Sequence, residues 1–203
     1  MNLDDDIYKT LKSPSTEVLF KEKGSKFFGY AFPVTNEDKI KEHLEELKKQ
    51  HHAARHWCYA WQLGTEQIQY RANDDGEPNN SAGMPIYGQI QSFNVTNVLI
   101  VVVRYFGGVK LGVGGLITAY KETAKMALEA STIISKTITK NFLLTFDYKD
   151  MNKVMRVLKE QNITIKNQQL ELQCNITISV RKSEVEKIEG IFQSLYEVSI
   201  KPL

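Results

Sequence analysis

Val98-Leu99-Ile100-Val101-Val102-Val103-Arg104-Tyr105-Phe106-Gly107-Gly108-Val109-Lys110-Leu111-Gly112-Val113-Gly114-Gly115-Leu116 passes from six consecutive aliphatic residues into a segment with five glycines between Gly107 and Gly115. A strand exposed on one face alternates apolar and polar residues, so an unbroken aliphatic run predicts a strand over 98–105 that is covered on both faces. Beyond the glycines, Ala119, Thr123, Met126, Ala127 and Ala130 recur at helical spacing and predict a helix over 116–130. A buried strand, a glycine-rich crossover and a helix make a layered α+β arrangement.

Upstream, Val18-Leu19-Phe20 and Phe27 to Phe32 are two β-like runs around Glu22-Lys23-Gly24-Ser25, a hairpin signal. Asn36 is placed to cap a helix whose Ile40, Leu44 and Leu47 share one face while lysines and glutamates cover the other. Trp57 to Leu63 reads as an aromatic strand, 67–71 pairs back on it across Gly64, and a short helix is expected between Ala82 and Phe93. Downstream of Ser131 the pattern restarts as βαββαβ, with strands at 137–146, 163–166, 171–180 and 197–200 and helices at 149–161 and 184–195. Leu172, Cys174, Ile176, Ile178 and Val180 alternate with polar residues, so that sheet should carry its helices on one face only. The helix stripes are Met151, Val154, Met155 and Leu158, then Val185, Ile188, Phe192 and Leu195. Two domains follow, 1–134 and 135–203, joined near 131–140 by a segment without Gly or Pro that reads as a short linker restricting their orientation.

The chain has 203 residues, 42% of them hydrophobic, which suffices for packed cores. Lysines and arginines number 26 against 24 acidic residues, so a nucleic-acid partner needs a local basic patch rather than the net charge of +2. No apolar run approaches a membrane span, and Met1-Asn2-Leu3-Asp4-Asp5-Asp6 is acidic where a secretory signal is basic, so a cytoplasmic location is expected. Cys58 and Cys174 stand far apart without CxxC spacing and read as reduced, buried small residues.

Three segments could carry chemistry. In Arg104 to Leu116, glycines allow close backbone approach, a helix N-terminus offers free N–H groups, and Arg104 and Lys110 add charge. Gly107, Gly108, Gly112, Gly114 and Gly115, with Arg55 and Arg71 nearby in sequence, are therefore candidate phosphate or RNA-backbone contacts. The segment matches neither G-x-x-x-x-G-K-S/T nor G-x-G-x-x-G, and a tight packed crossover explains the glycines equally well. If Gly114 has a positive φ, a β-branched residue there strains the loop. The second segment, Asp74-Asp75-Gly76-Glu77-Pro78, crowds three carboxylates into one turn. It reads as a structural turn whose carboxylates cap neighbouring N–H groups, with a hard cation or a partner contact as alternatives. The third, His51 to Trp61, holds three of the four histidines and Cys58 but lacks the second ligand group a zinc site needs. Its Trp57, Tyr59 and Trp61 share one strand face and either pack under a helix or stack bases. No nucleophile, base and orienting group line up in any of the three, so the residues assign no catalytic site, metal or cofactor.

Taken in order, His56-Trp57-Cys58-Tyr59-Ala60-Trp61, Asp74-Asp75-Gly76-Glu77-Pro78 through Gly83 and Pro85, and Arg104 to Leu116 resemble the signature of the YigZ/IMPACT family, which includes YvyE-like bacterial members. Asn79-Asn80 stands where that family commonly has Ser-Gly, and Met84 where lysine is common. The resemblance covers nearly the whole chain. It implies a first domain like the fourth domain of elongation factor G, of ribosomal-protein type, and a ferredoxin-like second domain like that factor's fifth. It also implies a link to translation, since eukaryotic IMPACT relatives regulate an initiation-control kinase pathway through protein partners. The expected role is thus a translation-linked regulatory protein that binds RNA or the ribosome. A protein-interaction regulator without nucleic acid, and a hydrolase or peptidase built on Asp74, Asp75, Glu77 and His56, stand as alternatives.

Overall fold

The computed structural model of the chain describes residues 6–203; the acidic N-terminal reading, Asp6 apart, lies outside them. Among the described residues are eleven strands and five α-helices in three sheets, a mixed α/β protein. Two compact units are distinguished, Tyr8–Lys136, and Thr137–Leu203 together with Asp6 and Ile7.

In the first unit, the hairpin of Val18–Glu22 (β2) and Ser25–Pro33 (β3), the strands His56–Leu63 (β4) and Gln69–Asn73 (β5), and Val98–Tyr105 (β6) form one antiparallel sheet. Its order is β2-β3-β6-β4-β5, so the aliphatic strand is central. Val98, Ile100 and Val102 point to one face, where the helices Gly83–Ser92 (α2) and Gly112–Glu129 (α3) bring Ile86, Ala119 and Tyr120. Leu99, Val101 and Val103 point to the other, under the Ile40 and Leu47 of helix Glu37–Gln50 (α1). All six are fully buried, each contributing roughly 1.5–3 kcal/mol of transfer free energy. Asn36 caps α1, its side-chain oxygen accepting from the Lys39 N–H at 2.9 Å.

The strand Ile7–Leu11 (β1) pairs with Ile133–Thr137 (β7). The stretch read as a linker is thus largely strand, because its β-branched Ile133, Ile134 and Thr137 suit a ladder and no Gly or Pro interrupts them.

The second unit follows βαββαβ: Thr139–Asp147 (β8), Met151–Glu160 (α4), Thr164–Leu170 (β9), Gln173–Arg181 (β10), Val185–Gln193 (α5) and Val198–Pro202 (β11). The sheet order is β11-β8-β10-β9, antiparallel throughout. Val154, Leu158, Ile188 and Phe192 pack against Phe142, Leu144, Cys174, Ile176 and Ile178 on one face. On the other, Thr145 donates to Asn175 Oδ1 at 2.8 Å. Two stripe residues fall outside this core. Leu172 is 92% exposed because β10 begins only at Gln173, leaving it in the turn, and Met155 stands at the edge of the α4 face, 39% exposed.

Candidate functional site

The register of the β4–β5 hairpin builds the site. Tyr59 pairs with Asn73, so the chain continuing from Asn73 runs back along Cys58, Trp57 and His56. Asp75 takes a positive φ of 44° and Gly76 one of 85°, turning the segment sharply there. The Trp57 N–H donates to Asp75 Oδ2 at 2.7 Å, and the His56 imidazole lies 2.8 Å from the Asp75 carbonyl through Nδ1. A carbonyl only accepts, so Nδ1 carries the proton.

Asp74 works in the other direction along the chain. Its Oδ1 accepts from the N–H groups of Ala82 and Gly83 at 3.0 and 2.8 Å, and its Oδ2 from Asn80 at 2.9 Å. The α2 N-terminus has no cap from Ala82, its own N-cap residue; Asp74 supplies one from eight and nine residues upstream. A Cβ at Gly83 would stand 2.5 Å from the Asn73 backbone N, so only glycine admits this approach. Pro85 lies in the first turn of α2, where a missing N–H costs nothing.

Glu77 departs from the expected capping. Its Oε1 accepts from Arg104 Nη1 at 2.6 Å and from the Tyr120 hydroxyl at 2.8 Å, with the Glu77 and Arg104 side chains only 4% and 6% exposed. Tyr120 is fully buried, and burial, with Cys58 and Glu77 beside it, pushes its hydroxyl well above the usual phenol range. It remains neutral and donates. Cys58 lies 3.3 Å from the Tyr120 oxygen and 3.0 Å from the Asp74 carbonyl, and burial drives its thiol far up, which makes it a poor nucleophile. The Arg104 guanidinium also lies 5.5 Å from the Phe27 ring and 5.7 Å from the Phe106 ring, while its buried Nε has no hydrogen-bond partner among the described residues.

The three motif segments therefore meet in one buried network, and Arg104, read as a projecting phosphate contact, is its neutralised centre. The remaining candidates divide. Gly107 does make a close approach, but to the backbone of Gly24, where a Cβ would stand 1.9 Å from the Gly24 carbonyl carbon. Gly108 and Gly112 have positive φ, 88° and 72°. Gly114 does not: α3 begins at Gly112 rather than Leu116, so Gly112 to Gly115 form its first turn and the supposed strain at Gly114 is absent. Lys110 is exposed. Arg55 is exposed beside the site, its N–H 3.5 Å from the Arg104 carbonyl. Arg71 is not brought to it, for it pairs with Trp61, five residues along β4 from the His56 that faces Arg104. Trp57, Tyr59 and Trp61 pack with the α1 face.

Two cavities flank the end of β6. One of about 350 Å³ is bordered by Glu77, Arg104, Phe106, Lys110, Val113 and Leu116; the other, of about 250 Å³, by Gly24, Lys26, Phe28, Tyr105 and Phe106. Successive residues on a strand face opposite ways, so Arg104 belongs to the α2/α3 side and Tyr105 to the α1 side. Phe106, 47% exposed, borders both. Val109 and Val113 are also exposed there.

Sequence reading missed Tyr120, although its place one helical turn after Leu116 marks it as a polar-tipped residue on the buried stripe. It also missed a second polar network. His51 closes α1, with Nε2 2.5 Å from the Tyr30 hydroxyl and Nδ1 3.1 Å from the Tyr105 hydroxyl, while Tyr30 donates to Glu17. Burial lowers the His51 pKa against the opposing pull of Glu17. No group of His, Cys, Asp and Glu among the described residues has the arrangement of a metal site, and no helix among them is long and apolar enough to cross a membrane.

Residues 23–128 match the model of the Impact N-terminal domain. The chain is 33% identical over 159 residues to the IMPACT family member YvyE of Bacillus subtilis, covering 78% of this chain and 73% of that protein. It is 33% identical over 138 residues to the IMPACT family member YigZ of Escherichia coli, covering 67% and 68%. A crystal structure of a hypothetical protein superposes with a TM-score of 0.70 at 26% identity, covering 98% of this chain and 97% of that one.

Proposed function

The chain belongs to the IMPACT family, and from that membership we propose a regulatory protein of translation that acts by binding the ribosome or its RNA. The contact surface is the segment Phe106 to Val113, not a catalytic centre. The observation that carries this reading is where the family's motif residues go. Asp74, Asp75, Glu77 and Arg104 are engaged in internal hydrogen bonds, and what they support at the surface is a rim with Phe106, Val109, Lys110 and Val113 outward. A network of that kind holds a binding surface rigid; it leaves no activated nucleophile with a base beside it. Against the hydrolase alternative stands the engagement of its groups elsewhere: His56 with a backbone carbonyl, Asp74 and Asp75 with backbone N–H groups, and Glu77 with an arginine.

The order β11-β8-β10-β9 in a βαββαβ unit supports a ferredoxin-like second domain, and with it the elongation-factor-like two-domain division near residue 135. A cytoplasmic location accompanies the translational role, and a protein partner in translation control fits the apolar share of the rim.

Sedimentation with purified ribosomes tests the proposal. The full chain should pellet with them, and Val113→Asp, which places a charge on the exposed rim without disturbing the core, should pellet at least several-fold less. Equal pelleting of both proteins, or none by either, would refute it.

A further inference from the structure

The hairpin of β2 and β3 carries an arrangement that the motif network does not explain. Lys21 pairs directly with Lys26, and Lys26 with Tyr105, so the three form one row across β2, β3 and β6 on the same face of the sheet. Like charges directly opposite each other destabilise a sheet. Both lysines are exposed, and neither has an ion-pair partner among the described residues. Lys23 extends the cationic tip, and Gly24 fixes that tip against the β6–α3 segment through its backbone contact with Gly107.

Two residues beyond Lys26 along β3, on the same face, stands Phe28, paired with Leu19 and Val103. Phe28 stands edge-on to Tyr105 with ring centroids 5.6 Å apart, and together with Phe106 and Lys26 they border the cavity of about 250 Å³, which has no carboxylate on its walls. Phe106 is half exposed, with the Arg104 guanidinium against it from within the protein. An uncompensated lysine row beside an aromatic cleft matches a ligand that alternates anionic groups with flat rings. That is the chemistry of single-stranded nucleic acid, whose phosphates follow cations while its unpaired bases stack on aromatic side chains. An acidic peptide would satisfy the lysines but not the rings.

We propose that Phe28, Tyr105 and Phe106 receive one unpaired base of single-stranded RNA, with Lys21 and Lys26 on the adjoining phosphates. Taking RNA as the partner rests on the ribosome-binding reading above; which residues hold it does not.

Fluorescence anisotropy of a fluorescein-labelled oligouridylate with the full chain tests the assignment. Phe106→Ala should weaken binding about fivefold or more, Phe106→Trp should restore it, and Lys26→Gln should lower the slope of log affinity against log salt by about 0.7. Thermal unfolding of each variant checks that the fold is kept. The proposal is overturned if the oligonucleotide does not bind, if Phe106→Ala binds unchanged, or if inorganic polyphosphate or an acidic peptide competes as well as the oligonucleotide. Should ribosome pelleting survive those results, the stacking site alone is refuted. Should pelleting fail while Phe106-dependent binding holds, the ribosome is refuted and the RNA site stands.

Discussion

Arg104 Nη1 donates to Glu77 Oε1 at 2.6 Å across 27 residues of chain, in a site where both side chains are almost wholly buried. The pair ties the end of β6 to the loop before α2, and the Tyr120 hydroxyl on the same oxygen adds α3. Removing one partner of a buried pair strands the other charge. Glu77→Ala should therefore destabilise the protein by about 3–5 kcal/mol, and Glu77→Gln, which still accepts from Tyr120, by less. Equilibrium denaturation measures both; a loss near zero for Glu77→Ala would show that the network does not hold these elements together.

Asp74 caps α2 from a distance, with three backbone N–H groups on one carboxylate. Asp74→Ala should cost about 1–2 kcal/mol, the scale of a lost helix cap, and Asp74→Asn should recover part of it. Hydrogen exchange at the Ala82 and Gly83 amides should speed up in the alanine variant. Unchanged exchange would remove Asp74 from this role.

The glycines of the β6–α3 segment should separate cleanly. Gly107→Ala puts a methyl group into the Gly24 backbone and should be strongly destabilising, whereas Gly114→Ala meets nothing within 4 Å. A helical Gly114→Ala should be neutral or stabilising by up to about 1 kcal/mol. Thermal unfolding of the two variants in parallel gives the answer, and a destabilised Gly114→Ala would contradict the helical assignment.

His51 predicts a pH dependence. Burial depresses its pKa in the folded protein, so the unfolded chain takes up a proton first, and stability is full above about pH 6.5 and declines as pH falls below it. His43, stacked on Phe32 at 4.2 Å and depressed by the same cause, acts in the same sense. Urea titrations between pH 7.5 and 5.5 should show the decline, with a smaller slope in His51→Gln. An identical slope in that variant would mean His51 is not the group that titrates.

A fragment beginning near Ser135 should fold cooperatively, because α4 and α5 close their own core over the β8–β11 sheet. It should gain stability when residues 6 and 7 are supplied as well, since Asp6 accepts from the Ser183 N–H at 3.1 Å and lies 3.5 Å from Arg181 Nε. Absence of any thermal transition in the fragment would refute the two-domain division.

Much of this was legible in the sequence where a single physical rule dominates. The run from Val98 to Val103 read as a strand covered on both faces, Asn36 could be read as a cap, and the alternation from Cys174 to Val180 pointed to the one-sided sheet. The start of α3 was hidden because glycine weakens helical periodicity, so Gly112 to Gly115 read as loop. The site itself was half legible: the three segments could be named, but not that Arg104 points inward. That depends on pairing across the sheet, which sets Arg104 beside Phe27 and His56. Tyr120 and His51 contribute through partners 43 and 21 residues away, Glu77 and Tyr30, a distance over which no local pattern speaks.

The salt dependence of ribosome co-sedimentation tests the central claim most directly. Wild-type protein should pellet with ribosomes at low salt and progressively less as salt rises, and Lys110→Gln should pellet less at low salt with a slope reduced by about 0.7–0.9, while unfolding as the wild type does. Pelleting that is independent of salt and unaffected by Lys110→Gln would contradict phosphate contact at the β6–α3 rim, and no pelleting under any condition would contradict ribosome binding itself.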